Sequence, residues 1–173
     1  MENRHVSRYY VKRKGQKRHA RYSYPKLTVV CDTDTHLWLS AIASKGPTND
    51  HIQFSDAMIQ ASENIQFDRL LADAGYDSQE NHRLCREELG IRSTVINLNK
   101  RRNPRKWPTT KYRRQMRKKF HKNIYGNRWQ VESSFSTHKR LLGAALRSTS
   151  ENGRNQELLF RAITHNLMAV SLQ

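Results

Sequence analysis

The chain has 173 residues, of which 36% are hydrophobic, with a formal net charge of +17 and a pI of about 10.4. This length suffices for one domain with a small core, whereas no apolar run is long enough for a membrane span or a secretory signal. Cys31 and Cys85 lie in no spacing that closes a zinc site, which predicts reduced, packed thiols.

The positive charge is concentrated in two segments. Residues 4–26 hold nine Lys and Arg and residues 100–122 hold twelve, and neither segment contains an acid. Such charge favours nucleic acid as partner, because basic clusters bind it by releasing counterions. Either segment could instead be a solvated basic region, but interleaved aromatic residues favour nucleic-acid contact. We therefore divide the chain into a basic arm, 1–26, and a folded domain, 27–173, with a basic insertion at 100–122.

A hairpin is the first predicted element of the folded domain. Two β-rich runs, 27–31 and 37–43, flank turn-forming residues at 32–34. Apolar residues at helical spacing then predict a helix over 51–65, with Asp50 as a plausible cap.

A short buried strand follows at 70–72 and ends at Asp73. Ser78 caps the predicted helix 78–90, which stops at a glycine. Another strand is predicted over 91–98. Since helices alternate with strands after the opening hairpin, we expect an α/β fold whose sheet has mixed strand directions.

Helices are predicted over 128–142 and 155–172, after the basic insertion. Each residue of an α-helix turns by about 100°, so Arg128, Glu132 and Lys139 share one face, joined by Tyr125 if the helix extends back that far. A second face is apolar and predicts the side that packs on the core: Val131, Phe135, His138 and Leu142. The alternative is an ordinary ion pair of Arg128 with Glu132 on a solvated helix. It would not explain why a tyrosine and a lysine lie on the same face.

Two aspartates follow the strand at 70–72. Asp73 ends an apolar run, so its carboxylate should project at the edge of the sheet where ligands gather in α/β proteins. The alternative for Asp73 is a turn or capping role. Asp77 fits that structural role better, because it precedes Ser78 at a helix start.

These residues resemble a known family. Tyr125-x2-Arg128-x3-Glu132-x6-Lys139 matches the Tyr-Arg-Glu-Lys signature of DDE transposases from prokaryotic insertion sequences, the insertion-sequence-four-like group. The segments LLADAGYDS and HKRLLGAALRS are also similar to that family, and the resemblance extends from about residue 4 to 170. It implies a ribonuclease-H-like mixed sheet flanked by helices, with three carboxylates that hold two divalent metal ions.

The resemblance implies roles for individual residues. Asp73 would be the second catalytic carboxylate and Glu132 the third, both as ligands of Mg²⁺ or Mn²⁺, whereas Tyr125, Arg128 and Lys139 would contact DNA strands. A hard cation takes carboxylate and phosphate oxygens together, which explains one carboxylate amid cations. In the basic insertion we predict phosphate contacts for four further cations: Arg113, Arg114, Lys118 and Lys119.

The first aspartate of the family pattern has no counterpart upstream of the hairpin. We therefore expect the first strand of the fold to be missing. Asp32 and Asp34 are the nearest substitutes, but both fall in the predicted turn, where solvent-facing residues are expected.

The leading hypothesis is a transposase catalytic domain that hydrolyses phosphodiester bonds at element ends and transfers strands into target DNA. Its expected setting is DNA in the prokaryotic cytoplasm, at the nucleoid, with a possible homodimer on DNA and no membrane. The alternative is a catalytically dead, truncated remnant that only binds DNA. A basic RNA-binding or ribosomal protein would explain the charge but not the Tyr-Arg-Glu-Lys face.

Overall fold

The computed structural model describes residues 24–46, 50–99 and 107–171. The strands in these ranges are β1 (Tyr24–Cys31), β2 (Trp38–Gly46), β3 (Arg69–Ala72) and β4 (Ser93–Ile96). The helices are α1 (Phe54–Asn64), α2 (Gln79–Arg83), α3 (Lys111–Lys118), α4 (Lys122–Gly126), α5 (Trp129–Leu142) and α6 (Glu151–Ser171). The alternation of strands and helices predicted from the sequence is confirmed.

The hairpin of β1 and β2 agrees closely with the one predicted from the sequence. β1 and β2 pair antiparallel, with Leu27 opposite Ala43 and Val29 opposite Ala41. The predicted turn falls in the connection between them, where the backbone N–H of Asp32 donates to the carbonyl of Leu37 at 2.9 Å. Strand pairing continues at the outer end as far as Tyr24.

The strands form two separate sheets in the described part of the chain. β1 pairs with β2, and β3 pairs in parallel with β4. The predicted mixture of directions is confirmed, but one continuous sheet is not formed, because a cavity rather than a hydrogen-bonded ladder lies between β1 and β3.

Two apolar clusters lie on opposite faces of the hairpin, because alternate residues of a strand point to opposite sides. Val30 packs with α1 against residues of β3 and β4. Leu27, Val29 and Cys31 pack instead with α6 and with Phe135 of α5. The hairpin is thus a layer between helices, and it fixes the position of α5.

Helix starts agree with the sequence in part. Ser78 caps α2, since its hydroxyl oxygen accepts from the Asn81 N–H at 3.0 Å. The helix then widens into a π-helical turn over Leu84–Glu88. The prediction for Asp50 is wrong: a 3₁₀ turn covers Asp50–Gln53, and α1 begins after Gln53 without a side-chain cap.

Tyr125 was predicted to share a helix face with Glu132 if their helix extends back that far. It does not, because α5 begins at Trp129. Tyr125 lies on α4, and the chain passes into α5 through i→i−3 hydrogen bonds, such as Arg128 N to the Tyr125 carbonyl at 3.1 Å. The basic residues of 1–23 and 100–106 lie outside the described residues. Within the described ranges, no helix has the length and apolar character needed to cross a bilayer.

Candidate functional site

A cavity of about 460 Å³ separates β1 from β3, and we call it the cleft. Its lining includes the consecutive residues 27–33 and 69–73. Successive side chains of a strand point to opposite faces, so a run of consecutive residues indicates that the strand edges themselves face the cleft. Residues of α1 and α5 also line the cleft, and three acidic residues are among its lining residues: Asp32, Asp73 and Glu132.

Asp73 is placed by the end of β3. Its backbone carbonyl accepts from the Tyr76 N–H at 2.9 Å, which closes the 3₁₀ turn Ala74–Tyr76. Its side chain caps no helix and is 58% exposed. The carboxylate is therefore available for other contacts, which argues against a purely structural turn role.

Arg128 joins Asp73 to Glu132. Its Nη1 atom lies 3.3 Å from Asp73 Oδ2 and 2.8 Å from Glu132 Oε1. Because both oxygens contact one nitrogen, their separation cannot exceed the sum of these two distances. Two carboxylates that are far apart in sequence thus meet at the edge of the cleft, with a single guanidinium between them.

Tyr125 reaches the same carboxylate from α4. Its hydroxyl donates to Asp73 Oδ1 at 3.3 Å, and the Arg128 guanidinium lies over its ring at 5.8 Å. Burial of the ring and then the charge of Asp73 raise the pKa of Tyr125 above its usual value. The hydroxyl therefore stays protonated at neutral pH and remains a hydrogen-bond donor.

Trp38 holds α5 in place on the other side of that helix. Its indole N–H donates to Ser134 Oγ at 2.6 Å, and its ring stacks on His138 at 4.6 Å and on His165 at 4.3 Å. Asn166 of α6 binds both the N–H and the carbonyl of Trp38. This buried cluster turns the opposite face of α5, with Glu132, toward the cleft.

A second ion pair anchors the basic insertion. Asp77 has a fully buried carboxylate that accepts two bonds from Arg113, from Nε and Nη2, each at 2.9 Å. The backbone N–H of Asn99 donates to the same carboxylate at 2.9 Å. Asp77 follows Asp73 on one loop, so this pair fixes α3 beside the candidate site.

The remaining cations that were predicted to contact DNA lie outside the cluster of Asp73, Arg128 and Glu132. Arg114, Lys118 and Lys119 are exposed on or next to α3, whereas Arg113 faces Asp77. Lys139 is half-buried on α5, about 10 Å along the helix axis from Glu132. These cations do not converge on the carboxylates as Arg128 and Tyr125 do.

The donor set suits one hard divalent cation. Asp73 and Glu132 offer carboxylate oxygens, which Mg²⁺ and Mn²⁺ prefer, and water or phosphate can fill the remaining positions. The described residues contain no group of three or more acidic, His or Cys side chains arranged to hold a metal. Asp32 lines the cleft, but one of its oxygens accepts from the Thr35 N–H at 2.9 Å within the turn.

Sequence reasoning missed the pair of Asp77 with Arg113 and the cluster around Trp38. Both join residues that are distant in the chain and carry no local spacing signal. The absence of acids within the basic insertion could have indicated that one of its cations pairs with an acid elsewhere in the chain, such as Asp77.

The chain matches a known family over most of its length. The family model described as "Transposase DDE domain" matches residues 4–167, nearly the whole chain. Neither a curated protein nor a solved structure matches significantly.

Proposed function

The chain belongs to the transposase DDE domain family, and from this premise we propose that the edge of the cleft is a metal-dependent site that hydrolyses DNA at element ends and transfers strands. The family places the chain in DNA transposition and gives it a ribonuclease-H-like α/β fold. The observation that supports the finer proposal is the convergence of Asp73, Glu132 and Arg128 on the cleft. The setting we propose is the prokaryotic cytoplasm, on DNA at the nucleoid.

Asp73 and Glu132 would hold a divalent cation, Mg²⁺ or Mn²⁺. When bound, such an ion activates water and stabilises the leaving oxygen in a phosphodiester displacement. The two carboxylates are mostly exposed, so an ion and a DNA phosphate can approach them from solvent without unfolding any element.

Arg128 holds the site together when no cation is bound. Its guanidinium compensates the charge of both carboxylates, which would otherwise repel each other across the edge of the cleft. Arg128 would be free to bind a phosphate if a bound cation compensated the two carboxylates instead, and a planar guanidinium is well suited to that contact. Tyr125 keeps Asp73 oriented through its hydroxyl.

Binding of the DNA backbone is proposed for the exposed cations of the basic insertion. Arg114, Lys118 and Lys119 extend the positive surface beyond the candidate site. Contacts of this kind position DNA without reading its sequence. Lys139 would continue the surface along α5.

We propose further that the chain by itself binds DNA but cuts it slowly. Holding two divalent ions would need more carboxylate ligands than one pair supplies, and the described residues bring two carboxylates together rather than three. Among the described residues, the edges of β1 and β3 that face the cleft pair with no strand, so they offer a place for another strand carrying such a residue.

Nicking of supercoiled plasmid in Mg²⁺ or Mn²⁺ tests this proposal. The chain should nick slowly, whereas a variant extended at the N-terminus by a β-strand carrying one aspartate should nick faster and bind DNA equally well. Asp73→Ala should abolish nicking by the extended variant. Fast nicking by the chain itself, lost in both Asp73→Ala and Asp32→Asn, would show that Asp32 supplies the third carboxylate.

The second candidate function is DNA binding without catalysis. The contact of Arg128 with both carboxylates favours it, because a permanent guanidinium would exclude the cation. No nicking by the extended variant, with DNA binding intact, would support this alternative.

A further inference from the structure

The outer face of α6 carries an apolar stripe. Each of its five large side chains is 39–67% exposed, with Phe160 and Leu167 the most exposed at 67%. We call these residues the α6 stripe: Leu159, Phe160, Ile163, Leu167 and Val170. Contiguous exposed apolar residues of this kind mark interaction surfaces.

The stripe lies opposite the side of α6 that packs on the hairpin. Leu158, Ala162 and His165 are the buried residues of this helix. A helix turns by about 100° per residue, which places Ile163 and Phe160 well away from that buried side. The folded domain therefore already has its core contact with α6, and the stripe is additional to it.

No charged residue falls within the stripe. Between Gln156 and Ser171 the acids and bases are Glu157 and Arg161, which bond to each other at 2.7 Å, and the buried His165. Two copies of a chain with a net charge of +17 repel each other over most of their surfaces. A charge-free face is where two copies can approach without direct repulsion.

The spacing of the stripe suits another helix of the same kind. Phe160, Ile163, Leu167 and Val170 recur at intervals of three, four and three residues, as in the seam of a two-helix coiled coil. Five side chains at these exposures offer on the order of 400 Å² per copy. This is about half of what a standard interface buries per partner, so the association should be weak.

We propose that the α6 stripe is a self-association surface, on which two copies of the chain pack α6 against α6 in a weak dimer that forms without DNA. Its use in holding two element ends rests on the proposed function, whereas the association itself does not. Repulsion between the copies is screened by salt, and apolar contact is not. Dimerisation should therefore strengthen as salt is added, whereas DNA binding weakens.

Sedimentation equilibrium of the free chain over about a hundredfold concentration range tests the proposal. We expect a monomer–dimer equilibrium that shifts toward dimer with concentration and with sodium chloride. Phe160→Glu and Leu167→Glu should each weaken the dimer at least tenfold, since two copies would then bury like charges.

The matched control is Ile59→Glu on α1, which adds the same charge at a residue that is 42% exposed. It should leave the dimer unchanged, and circular dichroism should show that all three variants are folded. A chain that stays monomeric at every concentration would overturn the proposal, as would a dimer equally weakened by Ile59→Glu. If the chain is monomeric and Phe160→Glu lowers its thermal stability, another part of the chain covers the stripe. That result would also overturn the proposal.

Discussion

Asp73 and Asp77 lie on one loop and each binds an arginine, yet their surroundings differ. The carboxylate of Asp77 is fully buried and makes two 2.9 Å bonds to Arg113. The carboxylate of Asp73 is 58% exposed and lies 3.3 Å from Arg128, which it shares with Glu132. Similar residue types thus form a buried, fully bonded pair and an open, loosely bonded cluster.

The difference teaches that solvent access, rather than residue type, separates a structural carboxylate from a candidate ligand. A buried carboxylate cannot exchange its arginine for an ion without a large desolvation cost. An exposed one can, since its pair contributes little to stability. Asp77 therefore positions α3, whereas the carboxylates of Asp73 and Glu132 remain accessible from solvent.

The largest effect should come from Arg113→Ala. It leaves the buried carboxylate of Asp77 without its partner, which typically costs about 3–5 kcal/mol. Arg128→Ala removes only exposed contacts and should change the free energy of unfolding by less than about 1 kcal/mol. Urea unfolding followed by circular dichroism measures both values.

A double variant separates the lost pair from lost packing at that position. Arg113→Ala combined with Asp77→Asn removes the uncompensated charge and should recover part of the lost stability. Equal destabilisation by Arg113→Ala and Arg128→Ala would contradict the distinction between the two clusters.

A smaller effect per residue on the free energy of unfolding is expected from pH, and it should come from buried histidines rather than from the exposed cluster. Burial lowers the pKa of His82 and of His138 to about 4, against about 6.5 when unfolded. Between these values the unfolded chain binds protons that the folded chain does not. Each of these histidines should thus leave the free energy of unfolding unchanged above about pH 7 and lower it by about 2 kcal/mol at pH 5.

His138→Phe tests this expectation, because neither ring nitrogen of His138 has a hydrogen-bond partner among the described residues. The variant keeps a ring against Trp38 and should flatten the loss of stability in acid. His121→Phe is the control at an exposed histidine. A pH dependence that is identical in the wild-type chain and in His138→Phe would refute the assignment.

Substitution of the exposed cations of α3 should have the smallest effect on the free energy of unfolding, but a clear effect on DNA binding. Replacing Arg114, Lys118 and Lys119 with Ala should weaken binding to random duplex DNA. The slope of log affinity against log salt should become shallower by up to about 3, at about 0.9 per phosphate contact. Arg113 is left in place, because its loss would act through folding.

The control removes an equal charge elsewhere. Lys45, Arg83 and Arg92 are exposed and each binds a carboxylate. Their replacement with Ala should reduce the salt slope less than the α3 variant does. Equal slopes in fluorescence-anisotropy titrations of the two variants would mean that α3 contributes only net charge.

Local patterns predicted much of this structure. The hairpin of β1 and β2, the end of β3 at Asp73 and the cap at Ser78 depend on neighbouring residues, which the sequence displays directly. Periodicity also indicated the packed side of α5, where His138 is fully buried. The breaks between helices were harder, since i→i−3 bonds around Arg128 leave the side-chain pattern of a helix almost unchanged.

Long-range pairing could not be predicted in the same way. Arg113 carried the same signal as Arg114, an exposed-looking cation in a basic run, and only the fold shows its bond to Asp77. The separation of the strands into two sheets likewise depends on which edges meet. The positions of Asp73 at a strand end and of Glu132 on a helix face were predicted, but the guanidinium that joins their carboxylates was not.

Binding of Mn²⁺ to the DNA-free chain tests the central claim most directly. Electron paramagnetic resonance of free Mn²⁺ should show weak binding by the chain, tighter binding by Arg128→Ala, and its loss in Asp73→Asn and Glu132→Gln. Asp68→Asn, at an exposed aspartate bonded to Arg92, should bind as the unchanged chain does. Undiminished binding in a variant that carries both Asp73→Asn and Glu132→Gln would contradict the proposed metal site.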